Sequence, residues 1–176
     1  MSKVIPSWFR EKVIEAHKNQ RTHLHYVLQG LTNDDLVRQV TNEEYSRSIA
    51  ELVMHIGTAE TYWFHKANNS IGPPVIADTF EEVMSRINEN TEKIIKIIQE
   101  CPEEQLRIIP SKDGGPSFAW AVLRTVQHGI YHAGQIAKIR RMIGTSELPP
   151  DSENRWGKAV DSSLEIIRVL IDEGMS

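Results

Sequence analysis

The chain has 176 residues, of which 40% are hydrophobic and 25% charged, a composition typical of one soluble domain, here residues 1–176. Its formal net charge of −4 argues against a dedicated nucleic-acid-binding protein, because such proteins normally carry a basic face. The single cysteine excludes an internal disulfide framework, and no apolar run approaches the roughly 20 residues of a membrane span. Since the first residues also lack the apolar stretch of a secretory signal, we expect a cytoplasmic protein that binds neither nucleic acid nor membranes.

The first predicted helix runs from Ser7 to about Gly30. Its apolar residues recur at helical spacing on one side, namely Phe9, Val13, Ala16, Leu24, Val27, Leu28 and Leu31. His17 and Gln20 lie near this stripe, and we interpret His17 as a partly buried histidine that is hydrogen-bonded to a neighbouring helix rather than as a metal ligand. His23 and His25 lie off the stripe and are expected to be exposed.

The second long helix is predicted to begin at the capping box Ser48–Glu51 and to end near Asn69. One of its faces carries Leu52, His55, Ile56, Ala59 and Trp63. His55 is therefore central on an apolar face, whereas His65 lies on another side and is expected to be exposed.

Similar capping patterns occur at Leu31–Leu36, which predicts a short turn, and at Thr41–Glu44. A third box, Thr79–Glu82, opens a helix that ends near Cys101, before Pro102. Its core stripe consists of Phe80, Val83, Met84, Ile87, Ile94, Ile97 and Ile98. Because Cys101 lies at a helix end, where the dipole does not lower its pKa, we interpret it as a small buried hydrophobe rather than a nucleophile.

The longest predicted helix spans Ala119–Gly144 and follows a loop at residues 110–116. Gly144 is the expected C′ residue. The apolar stripe of this helix consists of Ala121, Val122, Val126, Ile136, Ile139 and Ile143. His128 and His132 lie on the same stripe, and an i, i+4 pair has Cβ atoms about 5–6 Å apart, so both imidazoles can reach one metal ion.

A last helix is predicted from Trp156 to about Asp172. The residues expected to face inward are Val160, Leu164, Ile167, Leu170 and Ile171. No segment alternates long enough to predict a strand. Four long amphipathic helices and a C-terminal one therefore indicate an all-α bundle.

Helical bundles build metal sites from inward-facing side chains on facing helices. His55, His128 and His132 each lie mid-helix on an apolar stripe, so the three imidazoles can converge if the two helices pack side by side. Three neutral nitrogen ligands leave coordination positions open for water or substrate, as in catalytic zinc sites. Imidazole suits Zn, Ni, Cu and Fe, so the ligand set does not select the metal.

Two segments resemble motifs of the DinB/YfiT-like superfamily. Ser48–Ile56 is similar to its second-helix motif, and His128–Ile136 to its H-x-x-x-H-x-G-Q-I segment. The resemblance implies a four-helix bundle, here with an additional C-terminal helix, and frequent homodimers. It also implies a divalent metal site whose ligands are His55, His128 and His132.

Characterised members of that superfamily include thiol-dependent S-transferases, which use bacillithiol or mycothiol, and a thiol-dependent maleylpyruvate isomerase. The resemblance thus implies a metal-dependent enzyme that activates a small thiol, as a transferase does, or a water molecule, as a hydrolase does, on a small-molecule substrate. The expected cofactor is one divalent ion, Zn or Ni before Fe, Mn or Cu, and a low-molecular-weight thiol is a further option. The alternative is a non-catalytic, metal-binding stress-associated protein.

The simplest competing interpretation is a bundle whose histidines are only hydrogen-bonded core groups, and three histidines at matching depth on two helices argue against it. No catalytic residue is predicted. Glu51 and Glu60 flank His55 off its stripe, and we interpret them as solvated or supporting groups rather than a general base. Gln135 is expected to orient His132 or to pack at an interface. The motifs G-x-S-x-G, H-E-x-x-H and the P-loop are absent, which argues against the corresponding enzyme classes.

Overall fold

The computed structural model describes residues 7–40, 47–67, 71–75, 79–102, 106, 118–145 and 147–174. These ranges contain helices and no strand, which confirms the predicted all-α class. The helices are α1 (Ser7–Leu28), α2 (Asn33–Val37), α3 (Ile49–Lys66), α4 (Phe80–Glu100), α5 (Phe118–Met142) and α6 (Arg155–Gly174). None of them is both long and apolar enough to cross a membrane.

The helix starts follow from side chains that cap the first turn. The hydroxyl groups of Thr32, Ser48 and Thr79 accept the backbone N–H three residues later at the starts of α2, α3 and α4. The capping boxes predicted at the starts of the two long helices α3 and α4 are thus confirmed. The predicted C′ role of Gly144 is also confirmed, because its φ of +70° is typical of a C′ residue. The pattern at 41–44 and the loop at 110–116 lie outside the described residues, as do positions 68–70 at the predicted end of α3.

Side-chain contacts fix how α3 and α5 run relative to each other. The rings of His55 and His128 lie 4.9 Å apart, and so do those of Trp63 and Trp120. Since the α5 number falls as the α3 number rises, the two helices are antiparallel neighbours. This arrangement brings His55 opposite the histidine pair.

The core has two apolar layers with a polar layer between them. The layer at one end includes Phe9, Val13, Phe64, Ile94, Ile98 and Val122, and the layer at the other end includes Leu24, Val27, Ile49, Ile56, Ile87 and Ile136. The buried polar side chains between them are His17, Gln20, Arg21, Glu60 and Asn90. Along α5 the polar layer lies level with Gly129, because the side chain of Gln20 packs directly against this glycine.

Two predictions for α1 are wrong. His23 is only 5% exposed, because the segment after α5 covers this end of the helix, where the Tyr26 hydroxyl donates to the carbonyl of Pro149. His17 is completely buried, but neither ring nitrogen has a hydrogen-bond partner in the described part of the chain. His25 is exposed, as predicted.

The inward face of α6 also differs from the prediction. Leu164 and Ile171 are more than half exposed, at 55% and 52%. The buried side consists instead of Ala159, Ser162, Ser163 and Ile166. Small side chains let α6 approach α1 closely, and Asn19 of α1 donates a hydrogen bond of 2.8 Å to Ser162. The predicted Leu170 side chain lies outside the described part.

Candidate metal centre

Three imidazole rings converge where α3 and α5 face each other. The Nε2 atom of His128 lies 3.2 Å from Nε2 of His55 and 3.0 Å from Nε2 of His132. The ligand atoms of all three residues lie within 4.8 Å of one another. His132 is buried, whereas His55 and His128 are partly exposed. The predicted convergence of the three histidines is therefore present.

A neighbouring amide fixes the orientation of His132. Its Nδ1 lies 2.6 Å from Oε1 of Gln135, whose Nε2 donates in turn to the hydroxyl of Tyr131 at 3.0 Å. Because an amide oxygen only accepts, Nδ1 carries the proton and Nε2 presents its lone pair to the cluster. This N–H contact on the far side of the ring is the arrangement that metal-binding histidines usually show. The expectation that Gln135 orients His132 agrees with this bond.

The surroundings keep the three imidazoles neutral. Burial, together with the charges of the other two histidines, Arg124 and Arg47, lowers the pKa of His128 from the ordinary 6.5 to about 4. Burial also lowers the pKa of His55, followed by Arg47 and His132. For His132 burial again dominates, although the Gln135 contact acts in the opposite direction. Among the described residues, no carboxylate raises any of these three pKa values.

The donor set fits a divalent metal ion. Two nitrogen ligands at about 2.0–2.1 Å from a tetrahedral zinc ion lie about 3.3 Å apart, close to the 3.2 and 3.0 Å that separate Nε2 of His128 from the other two Nε2 atoms. Hydrogen bonds alone cannot satisfy all three Nε2 atoms, because Nε2 of His128 faces two neighbours and has at most one proton to donate. If it donates to the lone pair of His132, it offers nothing to His55, and if it accepts from His55, its lone pair faces that of His132. A cation between the three lone pairs would satisfy all of them.

The two glutamates near His55 do not enter this cluster. The carboxylate of Glu51 accepts the backbone N–H of Ser48 at 2.6 Å and is exposed, so it is a solvated capping group. Glu60 is only 1% exposed and pairs with Arg21 at 2.5 Å. Of the two predicted roles for Glu60, solvated or supporting, the solvated one is therefore wrong. Glu60 lies five residues beyond His55, on a side of α3 that α1 and α4 enclose. Burial raises its pKa, and Arg21 and Asn90 act against that effect.

Cys101 is buried, as predicted, and burial raises the pKa of its thiol. This agrees with the interpretation of Cys101 as a core residue rather than a nucleophile.

Sequence reasoning missed the two arginines whose charges act on the histidines. Arg47 precedes the cap of α3, and Arg124 lies one helical turn before His128. The i, i+4 spacing of Arg124 and His128 was the available signal. No sequence spacing indicates a role for Arg47, because only the packing of α3 against α5 brings its charge near the three histidines.

A family model described as the DinB superfamily matches residues 16–136, a range that contains His55, His128 and His132. No curated protein and no solved structure matches the chain.

Proposed function

The chain belongs to the DinB superfamily, and from this membership and its histidine cluster we propose that it is a metal-dependent enzyme that activates a small thiol or a water molecule. The observation that carries the proposal is the convergence of three Nε2 atoms at the junction of α3 and α5. His55, His128 and His132 would hold the ion.

The chemistry of the proposed site follows from the neutral ligands. A divalent ion keeps its full charge among three imidazoles, and when bound it would supply Lewis-acid chemistry by lowering the pKa of a water molecule or thiol. Gln135 holds the ring of His132 in place for this purpose. The imidazole donors alone do not select the metal, and we propose Zn or Ni, with Fe, Mn or Cu as alternatives.

Access to the cluster supports an enzyme over a purely structural metal site. Structural zinc sites are closed by four protein ligands, whereas catalytic sites keep an open position. Here three ligands are present among the described residues, and two of them, His55 and His128, are partly exposed.

The metal-binding part of the proposal is tested with untagged protein and elemental mass spectrometry. We expect about one divalent ion per chain in the wild type and a large loss of metal in His55→Ala and His128→Ala. His65→Ala is the matched control, because His65 is an exposed histidine on the same helix, and it should retain the ion. A metal-free wild type after incubation with Zn or Ni would contradict the proposal.

The enzymatic part needs a second measurement. The metal-loaded chain should consume electrophiles in the presence of a small thiol, or hydrolyse a substrate without one, and His128→Ala should not. Metal binding without either activity would favour the non-catalytic alternative. The homodimer implied by the family resemblance stays a prediction, which the elution mass at several protein concentrations would test.

A further inference from the structure

Beside the three histidines, α3 and α5 carry two opposed ladders of residues. On α3 the ladder is His55, Ala59 and Trp63, and on α5 it is His128, Arg124 and Trp120. Members of each ladder are four residues apart, so they lie on one face with a rise of about 6 Å between neighbours.

The antiparallel packing pairs the two ladders in three rungs. His55 and His128 form one end, with ring centroids 4.9 Å apart, and Trp63 and Trp120 form the other at the same separation. The middle residues of the two ladders, Ala59 and Arg124, lie between these two contacts along the helices. We call the surface formed by the three pairs the three-rung groove, and Ala59 is the smallest side chain in it.

The aromatic end of the groove offers a flat apolar surface. Trp63 contacts Trp120 edge to face, and Tyr62 contacts Trp63 in the same way at 4.9 Å. Tyr62 is 51% exposed and Trp120 is 37% exposed, so both rings reach the solvent. Edge and face contacts of this kind are how aromatic side chains bind a further ring.

Among the residues that the structure describes, the charges along the groove are positive. Arg124 is exposed at the middle rung, and its charge acts on both His128 and His132. Lys66 lies beyond the aromatic end, with Nζ 5.6 Å from the centre of the Tyr62 ring. The carboxylate of Glu51 is engaged at the helix cap, and that of Glu60 is enclosed with Arg21. A bound divalent ion would add to this positive field.

We propose that the three-rung groove is the substrate site of the metal centre and takes a small organic anion with a flat apolar group. The anionic group lies beside Arg124, and the flat group lies against Trp63 and Trp120, about 12 Å along the helices from the histidines. This inference rests on the proposed function, because it places the substrate relative to the metal centre.

The test uses three probes on the zinc-loaded full chain: 3-phenylpropionate, its neutral amide and propionate. The indole N–H signals of Trp8, Trp63, Trp120 and Trp156 in NMR spectra report where each probe binds, and single Trp→Phe variants assign them. We expect 3-phenylpropionate to shift the Trp63 and Trp120 signals and to leave the other two in place. The amide and propionate should each bind about tenfold more weakly, since one lacks the charge and the other the ring.

Variants separate the contribution of Arg124 from general charge. Arg124→Gln should weaken binding of 3-phenylpropionate about tenfold and leave binding of the amide unchanged. Arg141→Gln is the matched control, an exposed arginine on another face of α5, and it should bind like the wild type. Ala59→Leu should block the middle rung and weaken both ring-bearing probes.

Equal binding of acid and amide, or an Arg124→Gln variant that behaves like the wild type, would overturn the proposal. Zinc content is measured in every sample, so the two proposals fail in different ways. If the samples retain zinc but do not show the expected differences in probe binding, only the substrate proposal is contradicted. If the wild-type chain does not bind zinc, the metal centre itself is contradicted.

Discussion

Two polar clusters lie at the middle of the same bundle, and they differ in access and charge. The histidine cluster opens between α3 and α5 and consists of neutral rings whose lone pairs converge. The interior cluster around Arg21 and Glu60 is closed on all sides and contains a buried ion pair. His17 belongs to the closed cluster, where the charge of Arg21 acts on it. Convergence and access, rather than burial of a histidine, therefore distinguish a metal site from a polar core.

The largest expected effect comes from breaking the closed cluster. Arg21 contacts both Glu60 and the hydroxyl of Thr91, so Arg21→Met leaves a buried carboxylate without its partner. We expect the free energy of unfolding to fall by about 3–5 kcal/mol, the usual cost of splitting a buried pair. Urea denaturation measures this change.

Arg86→Met on α4 is the control for that experiment, because the Arg86–Glu89 pair is exposed and 3.6 Å long. It should change the unfolding free energy by less than about 1 kcal/mol. Similar losses in the two variants would show that the interior pair has no special role.

The second effect is an acid-dependent loss of stability that originates at His17. Burial, assisted by the charge of Arg21, lowers the pKa of His17 from the ordinary 6.5 to about 3. Between these values the unfolded chain binds a proton that the folded chain does not, so stability is complete above pH 6.5 and falls as the pH drops toward 3. In metal-free protein, His17→Leu should flatten this part of the curve of unfolding free energy against pH. A curve as steep as that of the wild type would contradict this assignment.

The third effect is on metal affinity rather than stability. Gln135→Leu removes the acceptor for Nδ1 of His132, and loss of such a contact typically weakens metal binding by 10- to 100-fold. Competition with a chelator measures the affinity. Gln127→Leu, a partly exposed glutamine on the same helix, should leave the affinity unchanged.

The smallest effect concerns the boundary between the two clusters. A Cβ atom on Gly129 would lie 2.2 Å from Nε2 of Gln20, so Gly129→Ala forces the Gln20 side chain to move. We expect a thermal destabilisation equivalent to about 1–3 kcal/mol. Gly134→Ala is the control on the same helix, since nothing lies within 4 Å of its Cβ, and it should be neutral or stabilise by up to about 1 kcal/mol. Equal melting temperatures for the two variants would contradict this packing.

Local rules were sufficient to predict the parts that form within a helix or between two regular stripes. The boxes at Ser48 and Thr79 depend on contacts three residues apart, and they mark the starts of α3 and α4. The histidine cluster needs only an i, i+4 pair on one stripe and a third histidine at the centre of a facing stripe. Such patterns are visible in the sequence because the helical period alone determines them.

The parts that could not be predicted depend on distant segments of the chain. His23 lies beside the segment that contains Pro149. Glu60 forms its ion pair with Arg21 of α1 rather than with a residue of its own helix. On α6 the stripe with Leu164 is the more apolar one, yet packing against α1 buries the side that carries Ser162, Ser163 and Ile166. Periodicity cannot decide such cases, because it carries no information about which surface a neighbour covers.

The most direct test of the metal centre is X-ray absorption spectroscopy of the zinc-loaded chain. We expect three imidazole nitrogens at about 2.0–2.1 Å from the zinc ion, together with one or two light atoms from solvent. The number of imidazoles should fall in His128→Ala and stay at three in His65→Ala. A shell with sulfur from Cys101, or with fewer than three imidazoles in the wild type, would contradict this expectation.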